Sequence, residues 1–478
     1  MLLNNWLILK QELFLTGIIV GILVLWLASD LKKETWISIL NIVLFINVCI
    51  PFIRFDYGNI FGDMFQTSPL IVFEKVLLSF AVWIISLFSY DWLKKLDHLP
   101  EFFVLILTSL LGMYFMLSSG NLLLFYLGLE MSTLPLAGAA NFEFGSKKSA
   151  ESAMKLILSS AFSSAILLMG ISWLYGMMGS LDYSVISTQV GHSPLSILAF
   201  LLILSGFAFK ISAVPFHLWT ADVYEGAPVA VTAFLSVVSK SAVIMVMIPF
   251  FYQIFEEKID VWYPAFIFLA LASLLIANLF AIRQQNIKRL LAFSSIAQVG
   301  FLLIGLSAHS QTGATSVLFF LLIYLFSNLA AFGVVSILSS VYGKEDIIQL
   351  SGLYKSHPFL SWVLALALFS LAGIPPTAGF FGKFFLLLSG AGVSNTSKYW
   401  IIGFAAMNMV ISLYYYLIVV KTIFMNQNPE QSEAYFPSTD PIPMPVRMAL
   451  IICLAGLLVV GFLGGFYQHI FQLLNGIN

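Results

Sequence analysis

The chain has 478 residues, 60% of them hydrophobic and only 9% charged, with a formal net charge of -1 and a mean hydropathy of +0.97. A soluble domain carries about 25% charged residues, so this is the composition of a polytopic membrane protein. Nothing in it points to nucleic acid or an acidic substrate. Cys49 and Cys453 lack any CxxC or Cys/His spacing, which excludes an iron-sulfur cluster or zinc site built from this chain alone, and no nucleotide-binding glycine pattern occurs.

A helix needs about 20 apolar residues to cross a bilayer, and runs of that kind predict about fourteen spans. They lie near 12-29, 36-53, 69-90, 101-118, 121-141, 151-178, 195-224, 228-254, 261-282, 290-307, 312-340, 358-392, 398-425 and 444-468. The first run has no basic leader or small-residue cleavage site, so a cleaved signal peptide is not expected. Span seven is interrupted at Ser212-Ala213-Val214-Pro215 and span twelve at Gly373-Ile374-Pro375-Pro376. Proline removes a backbone donor, and lipid tolerates the break only where protein or a water-filled cavity satisfies the freed groups.

Loop charge sets the expected orientation. Of 22 Lys and Arg, thirteen fall on one side, four (Lys10, Arg54, Lys258, Lys398) on the other, and five within spans. Basic residues favour the cytoplasmic side, so both termini are expected on the non-cytoplasmic side of a bacterial inner membrane. The two breaks are five spans apart, an odd number. The fold class expected is therefore an all-α polytopic membrane protein with two inverted five-helix repeats and broken helices seven and twelve. The boundaries are 1-100 for three N-terminal helices, 101-257 and 258-425 for the repeats, and 426-478 for a loop and the last helix. A weaker echo aligns Leu124 to Glu130 with Ala292 to Gln298, setting Gln298 opposite Glu130.

Lys210, Lys240 and Lys383 lie deep inside apolar spans, as does Glu130. A charge at the bilayer centre costs roughly 2.5-3.5 kcal/mol or more, and such residues usually mark an ion or proton path. Counting residues from the span ends puts all four near one depth, as a row parallel to the membrane. Glu130 is expected to pair with Lys210. Lys210 also has the carbonyl end of its half-helix to favour an ammonium, and Lys383 is expected to lack that help. His217 could relay protons between Lys210 and Lys240 or hydrogen-bond carbonyls freed by the break. Ser236, Ser239 and Ser241 could pack helices or relay protons. Lys75 sits beside Glu74 as a structural ion pair or an ionisable site, Lys155 snorkels toward the cytoplasm, and Asp222 and Glu225 are solvated mouth residues or proton acceptors.

The stretches Phe209-Lys210-Ile211-Ser212-Ala213-Val214-Pro215-Phe216-His217-Leu218-Trp219 and Tyr224-Glu225-Gly226-Ala227-Pro228 resemble the signature of the antiporter-like membrane subunits of respiratory complex I. Leu127 to Glu130, Lys288 to Gln298 and Gly373 to Lys383 carry the same resemblance, which covers spans four to thirteen. Modest length, Lys383, and Ser327-Asn328 followed by Ala331-Phe332 point to one branch of that family. The resemblance implies a proton-translocating, non-redox subunit of a quinone-reducing translocase, with Glu130, Lys210, Lys240, Lys383 and His217 as its catalytic groups. It implies no cofactor or metal on this chain; NAD, FMN, iron-sulfur clusters and quinone would belong to partner subunits. The partners implied are neighbouring antiporter-like and small membrane subunits, in the lipid bilayer. Gln298 stands where relatives often carry histidine, and glutamine cannot titrate. A subunit of a multi-subunit cation/proton antiporter is the alternative within the fold, and a stand-alone solute permease the alternative outside it.

Overall fold

The computed structural model describes residues 6-29, 31-53, 57-191, 193-255, 259-391, 399-424 and 442-475. Arg54, Lys258 and Lys398, used above for orientation, lie outside the described residues, as do the 257/258 boundary and the loop from 426 to 441. The fold is helical, with one small addition that the spans did not predict: an antiparallel ribbon, β1 (Gly58–Ile60) and β2 (Phe65–Thr67).

In chain order the long helices begin with α1 (Lys10–Ala28), α2 (Lys33–Cys49) and α3 (Pro69–Phe88). The first repeat follows as α4 (Leu99–Leu117), α5 (Leu122–Ala140), α6 (Lys147–Met178), the half-helices α7 (Pro194–Lys210) and α8 (Leu218–Gly226), and α9 (Val229–Ile254). The second comprises α10 (Ile259–Ala281), α11 (Ile287–Ser307), α12 (Gln311–Ser340), the half-helices α13 (Pro358–Ala372) and α14 (Ala378–Ala391), and α15 (Tyr399–Phe424). The chain closes with α16 (Met444–Phe462) and α17 (Gly465–Asn475). Among the described residues, twelve helices are long and apolar enough to cross a membrane; the segments of the two broken helices are each shorter.

The repeat is written into the helix ends. Asn121 caps the start of α5 by accepting from the Leu123 amide, and Asn286 caps α11 by accepting from the Lys288 and Arg289 amides. Each asparagine also forms a β-bridge to an aspartate beyond the next helix, Asn121 to Asp182 and Asn286 to Asp346. Left-handed glycines, Gly179 and Gly343, turn the chain before each aspartate. The two copies start on opposite faces. Asn121 lies beside the ribbon and Tyr183, on the face that holds both chain ends, whereas Asn286 lies beside Glu345 on the other.

This cap register corrects the sequence echo. Nine residues beyond the caps stand Glu130 and Ser295, so the partner of Glu130 across the repeat is Ser295, and Gln298 corresponds to Thr133. The motif match was off by three residues, close to one helical turn, which leaves an apolar pattern almost unchanged.

Burial sorts the helices. α11 is enclosed along its whole length and α9 and α12 nearly so, whereas α1, α2 and α16 expose most of their surface to lipid. In lipid, close packing rather than hydrophobic drive holds helices together. At the α4–α5 contact, a Cβ on Gly128 would lie 2.7 Å from the Met116 amide nitrogen and 2.8 Å from the Gly112 carbonyl oxygen, so only glycine allows these backbones their approach.

Charged side chains gather on the face opposite the chain ends. Lys148 and Arg289 reach Glu225, Lys155 and Arg289 reach Asp222, and Lys288 reaches Glu345, all at 2.6-2.9 Å. Asp222 and Glu225 are therefore anchored by cations rather than simply solvated, and Lys155 ends on Asp222 and Glu151.

Candidate functional site: a buried polar row

The three row lysines are enclosed, with relative exposures of 9% at Lys210, 2% at Lys240 and 0% at Lys383. None has a carboxylate within ion-pair distance among the described residues. A buried ammonium without a counter-ion is costly unless hydrogen bonds hold it, so the partners of each lysine decide its chemistry.

At the first break, Lys210 ends α7. Its Nζ donates to Thr133 Oγ1 at 2.9 Å and to Ser160 Oγ at 2.8 Å. The expected contact with Glu130 is absent: Glu130 is half-buried, its Oε1 has no hydrogen-bond partner, and it acts on Lys210 only through space. Thr133, one turn further along α5, takes the place that the carboxylate was expected to fill. It donates its own proton to the Leu129 carbonyl at 2.7 Å, so it faces Lys210 as an acceptor. The carbonyl end of α7 is served by another group, the Trp219 indole, which donates to the Phe209 carbonyl at 3.2 Å. The Val214 amide freed by the break donates to Ser273 Oγ on α10 at 2.9 Å, tying the two repeats together.

His217 is buried two residues past Pro215, its Nδ1 has no hydrogen-bond partner, and among the described residues its side chain is bonded neither to Lys210 nor to Lys240.

Lys240 lies on α9 directly after a π-helical stretch, Phe234–Ser239, of the kind that often marks a functional position. Its Nζ donates to Ser295 Oγ at 2.8 Å and sits 5.5 Å from the centre of the Tyr224 ring. Ser236 hydrogen-bonds Tyr324 at 3.1 Å, giving the π stretch a polar contact beyond packing. Ser241 Oγ is buried without a partner.

At the second break the expectation reverses. Lys383 Nζ reaches back across the break to the last carbonyls of α13, Leu371 at 2.6 Å and Ala372 at 3.4 Å, with the Phe301 ring centre 4.8 Å away. Lys210 stands in the last turn of α7 as expected, but it is Lys383 that bonds directly to the last carbonyls of a half-helix. The reason is steric: with Gly373 in a left-handed conformation, the start of α14 overlaps the end of α13, where the Gly379 amide donates to Ser370 Oγ at 3.2 Å, and the long lysine stem spans the remaining gap.

Gln298 does not leave a hole. Its Nε2 donates to the same Leu371 carbonyl at 3.1 Å and approaches the Tyr416 hydroxyl at 3.4 Å, while Tyr416 also hydrogen-bonds Ser294. One helix, α11, therefore carries Ser295 against Lys240, Ser294 against Tyr416, and Gln298 against the carbonyl held by Lys383. Sequence reading missed Tyr416, Thr133, Ser160 and Ser295. Only the Ser294-Ser295 pair, inside a motif already singled out, offered a signal.

Away from the row, Lys75 pairs with Glu12 on α1 rather than with its neighbour Glu74, and donates to Ser118 Oγ at 2.6 Å. Glu74 forms no hydrogen bond or ion pair among the described residues.

The NADH:quinone oxidoreductase/Mrp antiporter transmembrane family matches residues 119–412, from α5 into α15, with both breaks. The chain belongs to that family. Subunit N of NADH-quinone oxidoreductase from Azobacteroides pseudotrichonymphae is 43% identical, covering 99% of each chain, and the subunit N of Phocaeicola vulgatus is 39% identical, covering 96% of this chain and 97% of the relative. Among solved structures, a chain of respiratory complex I from Thermus thermophilus superposes with a TM-score of 0.74 at 27% identity, covering 94% of this chain and 98% of that one. A chain of the Mrp complex from Dietzia shares the fold, with a TM-score of 0.80 at 21% identity over 99% of this chain and 96% of that one. Within the complex I and Mrp family, this is an antiporter-like membrane subunit of the complex I kind, most like subunit N.

Proposed function

We propose that this chain is a proton-translocating, non-redox subunit of the membrane arm of NADH-quinone oxidoreductase, coupling quinone reduction in partner subunits to proton transfer through the buried row. The observation that carries this reading is the chain of polar groups along α11 between Lys240 and Lys383: Ser295, Ser294 with Tyr416, Gln298, and the Leu371 carbonyl. Lysines accept and release protons, hydroxyls both donate and accept, and a shared carbonyl lets the charge state of Lys383 be felt at Gln298. Glu130, Lys210, Lys240 and Lys383 serve as the carriers. His217, buried at the first break, completes the set.

NAD, FMN, iron-sulfur clusters and quinone belong, on this reading, to partner subunits, and the neighbours are other antiporter-like and small membrane subunits. The face rich in lysine and arginine faces the cytoplasm, and both chain ends lie on the opposite side of the bacterial inner membrane. Identity of 43% and 39% to subunit N over nearly whole chains favours this assembly over a cation/proton antiporter.

The test is proton uptake by proteoliposomes holding the assembled complex. Lys240→Ala is expected to abolish most NADH-driven proton translocation while the complex still assembles. Undiminished pumping by Lys240→Ala and by Lys383→Ala would end the proposal.

A further inference from the structure

A cavity of about 460 Å³ opens between the ribbon, α3, α9 and the start of α12, on the face that holds both chain ends. Its wall includes Gln66, Thr67, Tyr183, Tyr252 and Gln311, and, from α3, Glu74. At about 30 Å³ per molecule this is room for roughly 15 waters, which the polar groups of its mixed lining can bond, the rest of the wall being apolar side chains such as Leu70, Ile71 and Met245.

Glu74 is the anomaly. It is only 4% exposed, one turn and a half inside a membrane helix, and accepts no hydrogen bond among the described residues. Its neighbour Lys75 is committed to Glu12 and Ser118 and so does not neutralise it. A lone carboxyl in such a place costs several kcal/mol if ionised and dry. It lines the cavity.

The cavity also lies close to the row along α9. Met245 and Val246 in its wall lie five and six residues beyond Lys240 on α9, about 8-9 Å of helix. The same helix lines the cavity with its second π-helical stretch, Phe250–Ile254.

We propose that this cavity is the aqueous mouth through which the subunit exchanges protons with the compartment on the chain-end side, and that Glu74 is the carboxyl that takes up and releases them. The step is a proton transfer only: carboxylate and hydronium give carboxylic acid and water, and the reverse. The proposal rests on the proton-translocating reading above, which is why its experiment has an arm that does not depend on pumping.

In the assembled complex, with Cys49 and Cys453 of this chain replaced by serine, Glu74→Cys is treated with a membrane-impermeant thiol reagent on sealed vesicles of each orientation. Labelling of this chain, read by mass spectrometry, is expected from the chain-end side alone, and Ile71→Trp, which fills the cavity one turn away, is expected to slow it at least tenfold. Labelling from neither side, or from the opposite one, overturns the aqueous mouth. In proteoliposomes, Glu74→Gln is expected to reduce proton translocation at least fivefold, Glu74→Asp to retain most of it, and Ile71→Trp to reduce it without touching the carboxyl. Full pumping by Glu74→Gln overturns the role of the carboxyl, and Glu74 coupling that follows sodium rather than proton concentration overturns the ion assigned. If labelling behaves as expected but Lys240→Ala pumps normally, the failure lies with the proposed function and not with the cavity.

Discussion

The two repeats share caps, breaks and helix order, yet they hold their lysines in opposite ways. In the first, Lys210 ends on two hydroxyls from neighbouring helices, and no chain of hydrogen bonds among the described residues leads from it to Lys240. In the second, Lys383 ends on backbone carbonyls that it shares with Gln298, and α11 carries polar groups back toward Lys240. The difference lies in what serves the carbonyl end exposed by each break, a neutral indole in one and an ammonium in the other. Duplicated architecture therefore does not mean duplicated wiring: protein hydrogen bonds run from Leu371, held by Lys383, through Gln298 and Tyr416 to Ser294, the neighbour in sequence of the Ser295 that holds Lys240, and no such series among the described residues starts from Lys210.

The sharpest way to break this contrast is Lys383→Ala. It removes both a proposed carrier and the donor to Leu371, and proton translocation in proteoliposomes is expected to fall by about two orders of magnitude, the scale of a lost proton-transfer group. Gln298→Leu comes next. It leaves Lys383 in place but takes away the amide that links Leu371 to Tyr416, a loss of about 1-3 kcal/mol, and pumping is expected to drop about tenfold. If Gln298→Leu pumps at the normal rate, the wired second half is an illusion of geometry.

Ser160→Ala tests the other half and should cost less. Thr133 still holds Lys210, so a severalfold effect at most, and a stability loss of about 1 kcal/mol, is expected in thermal unfolding of the purified complex. An effect as large as that of Gln298→Leu would show the two halves to be wired alike.

The smallest effect concerns the start of α11. Burial works to raise the Glu345 carboxyl, but Lys288 beside it and hydrogen bonds from Ser339 and Asn286 outweigh burial and hold it below the usual carboxylate range. A depressed folded value means stability that is present above the unfolded value of about 4.3 and lost as pH falls through the folded one. Melting temperatures of the wild type and Glu345→Gln should differ by a few degrees near pH 7 and converge as the pH falls below about 4. A gap that persists in acid would mean that Glu345 acts by packing.

Much of the fold was legible because its signals are local. Apolar runs of span length and proline breaks at Pro215 and Pro376 depend on neighbours in sequence, and so does the odd spacing that makes the copies inverted. The site was legible only where charge stood against apolar surroundings. Lys210, Lys240 and Lys383 declared themselves by cost, but their partners did not, because a serine or tyrosine costs little wherever it lies. Tyr416, one of three successive tyrosines in an unbroken span, carries no local signal that sets it apart from its neighbours. Glu12 was invisible as the partner of Lys75 for another reason: 63 residues separate them, and Glu74 stood next door.

The enclosure of α11 has a consequence for how the protein is made. Ser294, Ser295 and Gln298 share an arc of about 100° on this helix, and two of them take partners, Tyr416 and the Leu371 carbonyl, from segments that follow it in the chain. Its neighbours come from both copies, among them α8 before it and α14 after it. It must therefore be inserted into provisional surroundings and reach its final ones only after the second half of the chain has been synthesised, so that the polar line closes late, as the last act of folding rather than as a template for it.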